Sequence, residues 1–115
     1  MTSTLTDAAD RIRVAKDFSE VPGPRNRDEG PNSGQQFLEE LLAPAFKNAL
    51  DAKADLWIDL DGTEGYATSF LESAFGGLAR RYSPETVLSI LRFKSDEEPY
   101  LVEEIRTYIR EATDK

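Results

Sequence analysis

The sequence predicts a single α/β domain of the two-layer sandwich type, with a mostly parallel sheet of three to four strands and helices on one face. Segments with strand spacing and helix spacing of apolar residues alternate along the chain, which is typical of strand-helix-strand units. The 115 residues suffice for one core of ordinary size and not for two. Right-handed crossovers that progress in one direction across a parallel sheet then put the helices on the same face. We expect residues 1–10 to form a flexible leader and residues 11–115 to form the domain.

A first strand and a long loop are predicted after the leader. Polar and apolar residues alternate with period two over residues 11–18, as in a half-buried strand. Residues 19–33 are rich in proline, glycine and charge and should form a long loop. Such loops are uncommon in compact domains, and we expect residues 22–31 to be the most mobile internal segment because they offer little apolar burial. Arg25 and Arg27 could contact an anion there, although the neighbouring acidic residues favour a solvated loop.

The first helix is predicted to begin at Ser33. The segment Ser33-Gly34-Gln35-Gln36 fits a capping box, in which the serine oxygen accepts a backbone hydrogen bond and the glutamine returns one. Pro44 lies within the helical pattern, and we expect a kink or a short break there because proline removes an amide bond and clashes with the preceding turn. The apolar residues that recur at spacings of three and four are Phe37, Leu38, Leu41, Leu42, Ala45, Phe46, Ala49 and Leu50.

A central strand and a second helix follow. Residues 56–60 are mostly apolar, as expected for a central strand that is covered on at least one face. The segment Ser69-Phe70-Leu71-Glu72 fits a second capping box, which should open a helix that runs through Arg81. The pair Gly76-Gly77 costs this helix about 1 kcal/mol per glycine relative to alanine. We therefore expect a neighbouring backbone to approach these glycines closely.

A third strand and a last helix complete the predicted order. Ser83-Pro84-Glu85 has the composition of a turn, and residues 87–93 form an apolar run that is typical of a strand. Acidic residues and Pro99 then precede an apolar stripe at helical spacing that extends from Leu101 to Ala112. The predicted order is therefore strand, helix, strand, helix, strand, helix.

Composition narrows the classes of function. The formal net charge of −8 disfavours binding to nucleic acid or to an anionic membrane surface. The chain has no cysteine and no histidine, so it lacks thiolate chemistry, the usual general base near neutral pH and the commonest neutral metal ligand. We therefore expect neither a cofactor nor a bound metal. The first residues are polar and have no apolar run of the kind that a signal peptide needs, so the expected location is cytoplasmic.

The end of the central strand carries a motif with two interpretations. The segment Leu56-Trp57-Ile58-Asp59-Leu60-Asp61-Gly62-Thr63 is an apolar strand followed by the pattern D-x-D-G-T. It resembles the first motif of the haloacid-dehalogenase-like phosphatases, which implies a Mg²⁺-dependent enzyme with Asp59 as nucleophile and Asp61 as acid or base. That family places further catalytic residues on separate later strands, and only one later strand is predicted here. The alternative is that Asp59 faces solvent or caps a turn made by Asp61 and Gly62.

A second set of motifs covers residues 12–112. Ser33-Gly34-x-x-Phe37 opens the first helix, Asp59-Leu60-Asp61-Gly62 ends the central strand, and residues 66–78 read YATSFLESAFGGL. With these motifs the sequence resembles the STAS-like domains of a bacterial family of unknown function. Residues 66–78 also align with the segment in which anti-sigma-factor antagonists, to which the chain is distantly similar, carry D-S-S-G-L-G before a helix.

The resemblance to the antagonists implies a phosphorylation switch. In those proteins a partner kinase phosphorylates the first serine, and the unmodified protein binds that kinase through the same helix start. Thr68 falls on the phosphoacceptor position and Ser69 on the next one, whereas Ala67 and Phe70 depart from the motif. Ser69 could instead be the N-cap of the helix, with Glu72 completing the capping box. Both roles are compatible because a phosphate at a helix N-terminus meets free amides and a favourable dipole.

These patterns predict a non-enzymatic regulatory module that binds a protein, and the resemblance implies a kinase or an ATPase as partner. Two alternatives stay open, which are the phosphatase and an acidic inhibitor that occupies a basic protein surface by charge. The sequence indicates no oligomeric state. Thr68 and Ser69 are the candidate phosphoacceptors, and the predicted partner-binding residues are Tyr66, Thr68, Ser69, Phe70 and Glu72.

Overall fold

A computed structural model describes residues 11–112, so the predicted leader, residues 1–10, lies outside the described residues. The strands are β1 (Arg11–Arg13), β2 (Leu56–Asp59) and β3 (Leu91–Lys94). Helix α1 consists of the consecutive segments Gly34–Phe37, Leu38–Leu42 and Ala43–Ala52, and helix α2 of Thr68–Leu71, Glu72–Gly76 and Gly77–Tyr82. Helix α3 spans Pro84–Ile90, and helix α4 spans Tyr100–Glu111. Short helical turns occupy Val14–Phe18 and Arg27–Glu29.

The three strands form one parallel sheet in the order β1-β2-β3. Ile58 in β2 lies opposite Ile12 on one side and Phe93 on the other. Leu56 and Ile58 are fully buried, whereas Trp57 between them is 43% exposed. Because successive strand residues point to opposite faces, the helices within residues 11–112 cover one face of the sheet and leave the other open. The predicted α/β fold with a parallel sheet and helices on one face is confirmed.

The core lies between the covered face of the sheet and the helices. Phe37 of α1 contacts both Phe70 and Phe75 of α2, with ring centroids 5.8 and 6.3 Å apart. Full burial of one such side chain stabilises the fold by about 1.5–3 kcal/mol. The largest fully buried residues come from both layers and are Phe37, Phe46, Phe70, Phe75, Leu42, Leu56, Ile58, Leu71, Leu78, Leu91, Ile105 and Ile109.

The first strand ends earlier than the alternating pattern predicted. β1 stops at Arg13, and Val14–Phe18 forms a π-helical turn. The Asp17 carboxylate accepts a hydrogen bond from the Arg13 amide at 2.8 Å, and this local bond competes with continued strand pairing. The turn also carries Phe18 onto the core, where its ring contacts Phe37.

Helix α1 begins where predicted, but the Gln36 side chain makes a different hydrogen bond from the one that a capping box requires. The Ser33 hydroxyl oxygen accepts a hydrogen bond from the Gln36 amide at 3.0 Å, as expected of an N-cap. The Gln36 side chain accepts from the amide of Asn32 at 3.2 Å instead of returning a bond to Ser33. The residue before the cap is therefore fixed as well.

Helix α1 has a π-helical turn just before Pro44 and no break. In this turn the Ala43 amide donates to the carbonyl oxygen of Leu38, five residues earlier. Residues on both sides keep right-handed helical dihedral angles, so α1 continues through the proline. The wider turn accommodates the missing amide of Pro44, which is a usual response of helices to an interrupted bonding pattern.

Close packing between α1 and α2 explains two glycines. A Cβ atom on Gly77 would lie 2.8 Å from Cδ2 of Leu38, so a side chain makes the close approach that we expected of a backbone. The backbone approach occurs at Gly34, where a Cβ atom would lie 2.6 Å from the carbonyl oxygen of Phe70. The two helices therefore touch at a position where any larger residue would overlap the neighbouring main chain.

The third strand predicted over residues 87–93 is wrong in its first part. Helix α3 occupies Pro84–Ile90, and β3 begins only after it. The Ser83 hydroxyl oxygen accepts a hydrogen bond from the Thr86 amide at 3.3 Å, and Pro84 stands at the first helical position. The segment that we interpreted as a turn is thus a helix start, in which serine caps and proline fits.

Helix α4 confirms the predicted last helix. Leu101, Ile105 and Ile109 are buried, and their spacing of four places them on the core side. Within residues 11–112 the structure contains no helix that is both long and apolar enough to cross a membrane.

Candidate functional site

The predicted partner-binding residues lie around the start of α2, which follows the carboxyl end of β2. Residues 60–67 connect β2 to this helix. Parallel α/β sheets commonly present their sites at this edge. The structure brings Tyr66, Thr68 and Ser69 together there, whereas Phe70 and Glu72 make internal contacts.

Tyr66 is tied to the sheet through its hydroxyl group. The hydroxyl donates a hydrogen bond to the Leu60 carbonyl oxygen at 2.8 Å, and the ring contacts Phe70 with centroids 5.9 Å apart. Burial raises the pKa of Tyr66 well above its ordinary value, so the hydroxyl stays protonated and remains a donor. Tyr66 therefore holds the connection on the end of the sheet, and only part of its side chain faces solvent.

Helix α2 begins two residues earlier than predicted. Thr68 is its first residue, and Ala67 occupies the N-cap position with no side-chain hydrogen bond. Ser69 lies inside the helix, so the capping box predicted for it is wrong. By helix geometry the first amides have no intrahelical acceptor. Among residues 11–112, the start of α2 therefore combines amides that no side chain caps with the exposed side chain of Thr68.

Phe70 is a core residue, which corrects its prediction as a partner-binding residue. Its relative exposure is 0%, and its ring contacts Phe37 and Tyr66. Two residues along a helix turn the side-chain direction by about 200°. An exposed Thr68 therefore places Phe70 on the opposite, inward side of the helix.

Glu72 joins the long loop to α2 instead of completing a cap. One carboxylate oxygen pairs with Arg25 at 2.5 Å and the other with Arg80 at 2.9 Å. Burial alone would raise the pKa of Glu72, but the two guanidinium groups lower it below its ordinary value. Glu72 is thus an ionised bridge between two segments of the chain.

Further contacts anchor the long loop along both helices. The Arg25 carbonyl oxygen accepts a hydrogen bond from the Ser73 hydroxyl at 3.2 Å. Arg27 pairs with Glu39 at 3.0 Å and with Glu40 at 3.2 Å. The anions that these two arginines contact are therefore carboxylates of the chain itself, and the loop is bound to the helices at these points.

The carboxylate of Asp61 is engaged on both oxygens by the last residue of β3 and by the connection that follows it. One oxygen accepts from the Lys94 ammonium group at 2.8 Å and from the Asp96 amide at 3.1 Å, and the other accepts from the Glu97 amide at 3.0 Å. Burial acts to raise the pKa of Asp61, but these donors lower it below its ordinary value. Asp61 therefore clamps the ends of β2 and β3 together as an ionised group, and it is poorly suited to donate a proton near neutral pH.

Asp59 caps the turn that follows β2. Its Oδ1 atom accepts a hydrogen bond from the Asp61 amide at 3.0 Å. Mg²⁺ would need oxygen ligands from these carboxylates, but amide and ammonium donors already occupy the Asp61 oxygens. Across residues 11–112 no group of three or more His, Cys, Asp or Glu side chains is placed to hold a metal ion. These residues do not fit a magnesium site.

The sequence analysis predicted the partners of neither the Glu72 carboxylate nor the Asp61 carboxylate. Arg80 lies eight residues after Glu72, which is about two helical turns along the same face, and this spacing is the one local signal for the pair. The donors to Asp61 lie 33 to 36 residues further along the chain. No local pattern points to them, because the pairing depends on how β2 and β3 lie side by side.

Comparison with known proteins identifies the family of the chain. The chain matches no curated protein and no solved structure. Residues 33–101 match the family described as a STAS-like domain of unknown function (DUF4325). The matched stretch extends from the N-cap of α1 into the start of α4, and it includes the whole connection from β2 to α2. Because this match covers more than half of the chain, the protein belongs to this family of STAS-like domains.

Proposed function

We propose that this STAS-like domain is a non-enzymatic regulatory module that binds a kinase or an ATPase through the start of α2. The observation that carries the proposal is the exposed Thr68 side chain beside helix amides that no side chain of the described part of the chain caps. Family membership supports it, because the matched residues include this helix start. The proposed binding surface consists of Tyr66, Ala67, Thr68 and Ser69, and we name it the α2-start surface.

The α2-start surface rests on fixed supports. The Tyr66 hydroxyl is bonded to the Leu60 carbonyl oxygen, and Phe70 lies fully buried beneath the first turn. Glu72 ties the next turn to the long loop through Arg25. A surface that is already ordered loses less conformational entropy on binding, which favours its use as a recognition site.

Thr68 is the proposed phosphoacceptor. Its side chain is exposed, whereas Ser69 is half-buried. Transfer of the γ-phosphoryl group of ATP to the Thr68 hydroxyl would add a charge of about −1.5 to −2 near pH 7. The phosphate would meet the free amides and the positive end of the helix dipole, so α2 should stay intact. The partner would then face a charged surface in place of a neutral one, and the complex should weaken.

The alternatives have less support. The phosphatase interpretation needs Asp61 as a mobile acid or base, but that carboxylate is held by Lys94 and by two backbone amides. The acidic-inhibitor interpretation depends on the net charge of −8 alone, and net charge does not select a partner.

Affinity capture from the source cells tests the proposal when three baits are compared quantitatively. The baits are the wild type, Thr68→Glu and Asn48→Glu, which adds the same charge to an exposed position in the last segment of α1. We expect a kinase or an ATPase to be enriched by the wild type and by Asn48→Glu and lost with Thr68→Glu. Thermal unfolding of each bait confirms that the fold is intact.

Two results would contradict the proposal. Equal capture of every protein by all three baits would exclude the α2-start surface as the binding site. Release of phosphate from an aryl phosphate ester in the presence of Mg²⁺, abolished by Asp59→Asn, would instead establish the phosphatase.

A further inference from the structure

The open face of the sheet carries a tryptophan among charged residues. Within residues 11–112 the helices pack on the opposite face, and Trp57 remains 43% exposed while its neighbour Ile58 is fully buried. Parallel register places the outward side chains in two rows across the strands. One row is Arg11, Trp57 and Arg92, and the other is Arg13, Asp59 and Lys94. We name these six residues the open face.

A cleft borders the exposed tryptophan. Its volume is about 510 Å³, and beside Trp57 its lining includes side chains of both charges, namely Arg11, Lys94, Asp59 and Asp96. Pro99 and Val102, from the start of α4, add apolar surface on the other side. Cavities of about 300–1,000 Å³ hold ligands of moderate size. The cleft therefore has room for a side chain of a bound segment next to the indole ring.

The β1 edge of the open face is basic although the chain as a whole has a net charge of −8. At the other end of the face Lys94 is already paired, with Asp61 at 2.8 Å and with Asp96 at 2.9 Å. Arg92 pairs with Asp55 at 3.4 Å, at the start of β2. In the part of the chain that the structure describes, no carboxylate lies within ion-pair distance of Arg11 or Arg13. These two guanidinium groups are exposed on the strand that forms one edge of the sheet.

We propose that the open face binds an acidic segment of a partner protein, with Trp57 as the apolar anchor and Arg11 and Arg13 as partners of its carboxylates. Tryptophan and arginine are the residue types that most often dominate the binding energy of protein interfaces. Arginine also suits carboxylates because its planar donors can bind both oxygens at once. This surface shares no residue with the α2-start surface, so the inference goes beyond the proposed function.

An acidic polypeptide fits the open face better than a nucleic acid strand does. Asp59 lies in the middle of its row, where it would repel a phosphate group but can accept a hydrogen bond from a backbone amide. The net charge of −8 also opposes the approach of a long polyanion. A short segment is less affected, because exposed charges more than about 8 Å away are largely screened at physiological ionic strength.

A second copy of the chain is a poor occupant of the open face. A two-fold interface between two sheets would place the same surface patch on both sides. The guanidinium groups of Arg11 and Arg13 would then share one interface with those of the other copy, and like charges in an interface are destabilising. The charge pattern thus favours a partner of different composition.

Fluorescence gives a direct test, because Trp57 is the single tryptophan of the chain. The probe is a short synthetic peptide that alternates glutamate with leucine and contains no aromatic residue. We expect a saturable change in the Trp57 emission of the full chain, and an affinity that falls as the salt concentration rises. Arg11→Glu should weaken binding about tenfold or more, since it replaces attraction by repulsion at the edge of the site.

Matched variants separate this surface from the rest of the molecule. Lys47→Glu makes the same change of charge on the exposed side of α1, where Lys47 pairs with Asp51, and should leave the affinity within about twofold. Thr68→Glu should also leave peptide binding unchanged, because Thr68 is not part of the open face. The experiment can therefore contradict the proposed binding at the open face without contradicting the proposed binding at the α2-start surface. Calorimetry extends the test to Trp57→Ala, which should lose most of the affinity while thermal unfolding shows an intact fold.

Four outcomes would overturn the inference. Equal weakening by Arg11→Glu and Lys47→Glu would indicate a general charge effect. Equal binding of a peptide with lysine in place of glutamate would exclude charge recognition. Tighter binding of a single-stranded oligonucleotide than of the acidic peptide would assign the face to nucleic acid. Emission that changes on dilution of the protein alone would assign it to a second copy.

Discussion

The carboxylate of Glu72 in α2 lies 2.5 Å from the guanidinium group of Arg25 in the long loop, although 47 residues separate them along the chain. The same carboxylate also bonds Arg80 one helical segment later. The bridge fixes the long loop against the helix whose first turn forms the α2-start surface. The order of the loop and the shape of the proposed binding surface are therefore coupled.

Replacement of Glu72 by glutamine should release the long loop. The variant keeps the size of the side chain but removes the charge that both arginines contact, so we expect a loss of about 1 kcal/mol in the free energy of unfolding. Urea unfolding measures this loss. Hydrogen exchange of the amides in residues 22–31 should become faster in the variant, while the amides of β2 should change only with global stability.

Glu103→Gln is the matched control for this change. Glu103 pairs with Arg106 at 3.0 Å on the surface of α4, and its side chain is 71% exposed. Exposed pairs of this kind contribute about 0–1 kcal/mol, so the control should be close to the wild type. Equal losses in the two variants, or unchanged exchange in the loop of Glu72→Gln, would show that the bridge does not order the loop.

The bridge should also make stability depend on pH in the acid range. The pKa of Glu72 is lowered in the folded protein from its ordinary value of 4.5. A lowered folded pKa contributes stability that is fully present above the unfolded pKa and is lost as the pH falls through the folded pKa. The free-energy difference between the wild type and Glu72→Gln should therefore be constant from pH 7 to about pH 5 and shrink below it. Urea titrations across this range measure the difference, and a gap that widens on acidification would contradict the assigned shift.

The fold class was predictable because several elements carry their own signals. The Ser33 cap and the apolar stripe of α4 are local patterns, and each marks its helix correctly. Residues 87–90 were predicted as strand but belong to α3, because the apolar run over residues 87–93 is compatible with both a strand and a helix. Ser83 and Pro84 decide between them, and the same two residue types are also common in turns.

The candidate site was less predictable because its contacts are long-range. Thr68 is exposed at the helix start, but the internal roles of Phe70 and Glu72 depend on packing against α1 and the loop. The exposure of Trp57 was also not predictable from local patterns, because it depends on whether helices cover one face of the sheet or both. A run of strand residues shows which face of β2 is more apolar, and only the tertiary arrangement shows that no helix of residues 11–112 covers the other face.

Two glycine substitutions in the contact between α1 and α2 should have different effects. In Gly34→Ala the new methyl group would overlap the carbonyl oxygen of Phe70, and main chain cannot move aside cheaply, so we expect a loss of about 1–3 kcal/mol. In Gly77→Ala the neighbour is the end of the Leu38 side chain, which can rotate, and alanine favours the helix by about 1 kcal/mol. Gly77→Ala should therefore be close to neutral. Denaturant midpoints compare the two, and the reverse order would show that helix propensity outweighs the contact.

Tyr66→Phe should separate the structural role of Tyr66 from its proposed role in binding. The substitution removes the hydroxyl that donates to the Leu60 carbonyl oxygen but keeps the ring that packs on Phe70. Loss of one hydrogen bond at a partly buried carbonyl should cost about 1 kcal/mol of stability. The exposed part of the ring is unchanged, so affinity for a kinase or ATPase captured by the wild type should stay within about twofold.

Thr68→Glu should behave in the opposite way, with stability retained because an acidic residue suits a helix N-terminus, and with affinity reduced. Thermal unfolding and calorimetry on both variants give the two quantities independently. A large fall in affinity for Tyr66→Phe would mean that the hydroxyl leaves Leu60 to contact the partner, and the connection after β2 would then rearrange on binding.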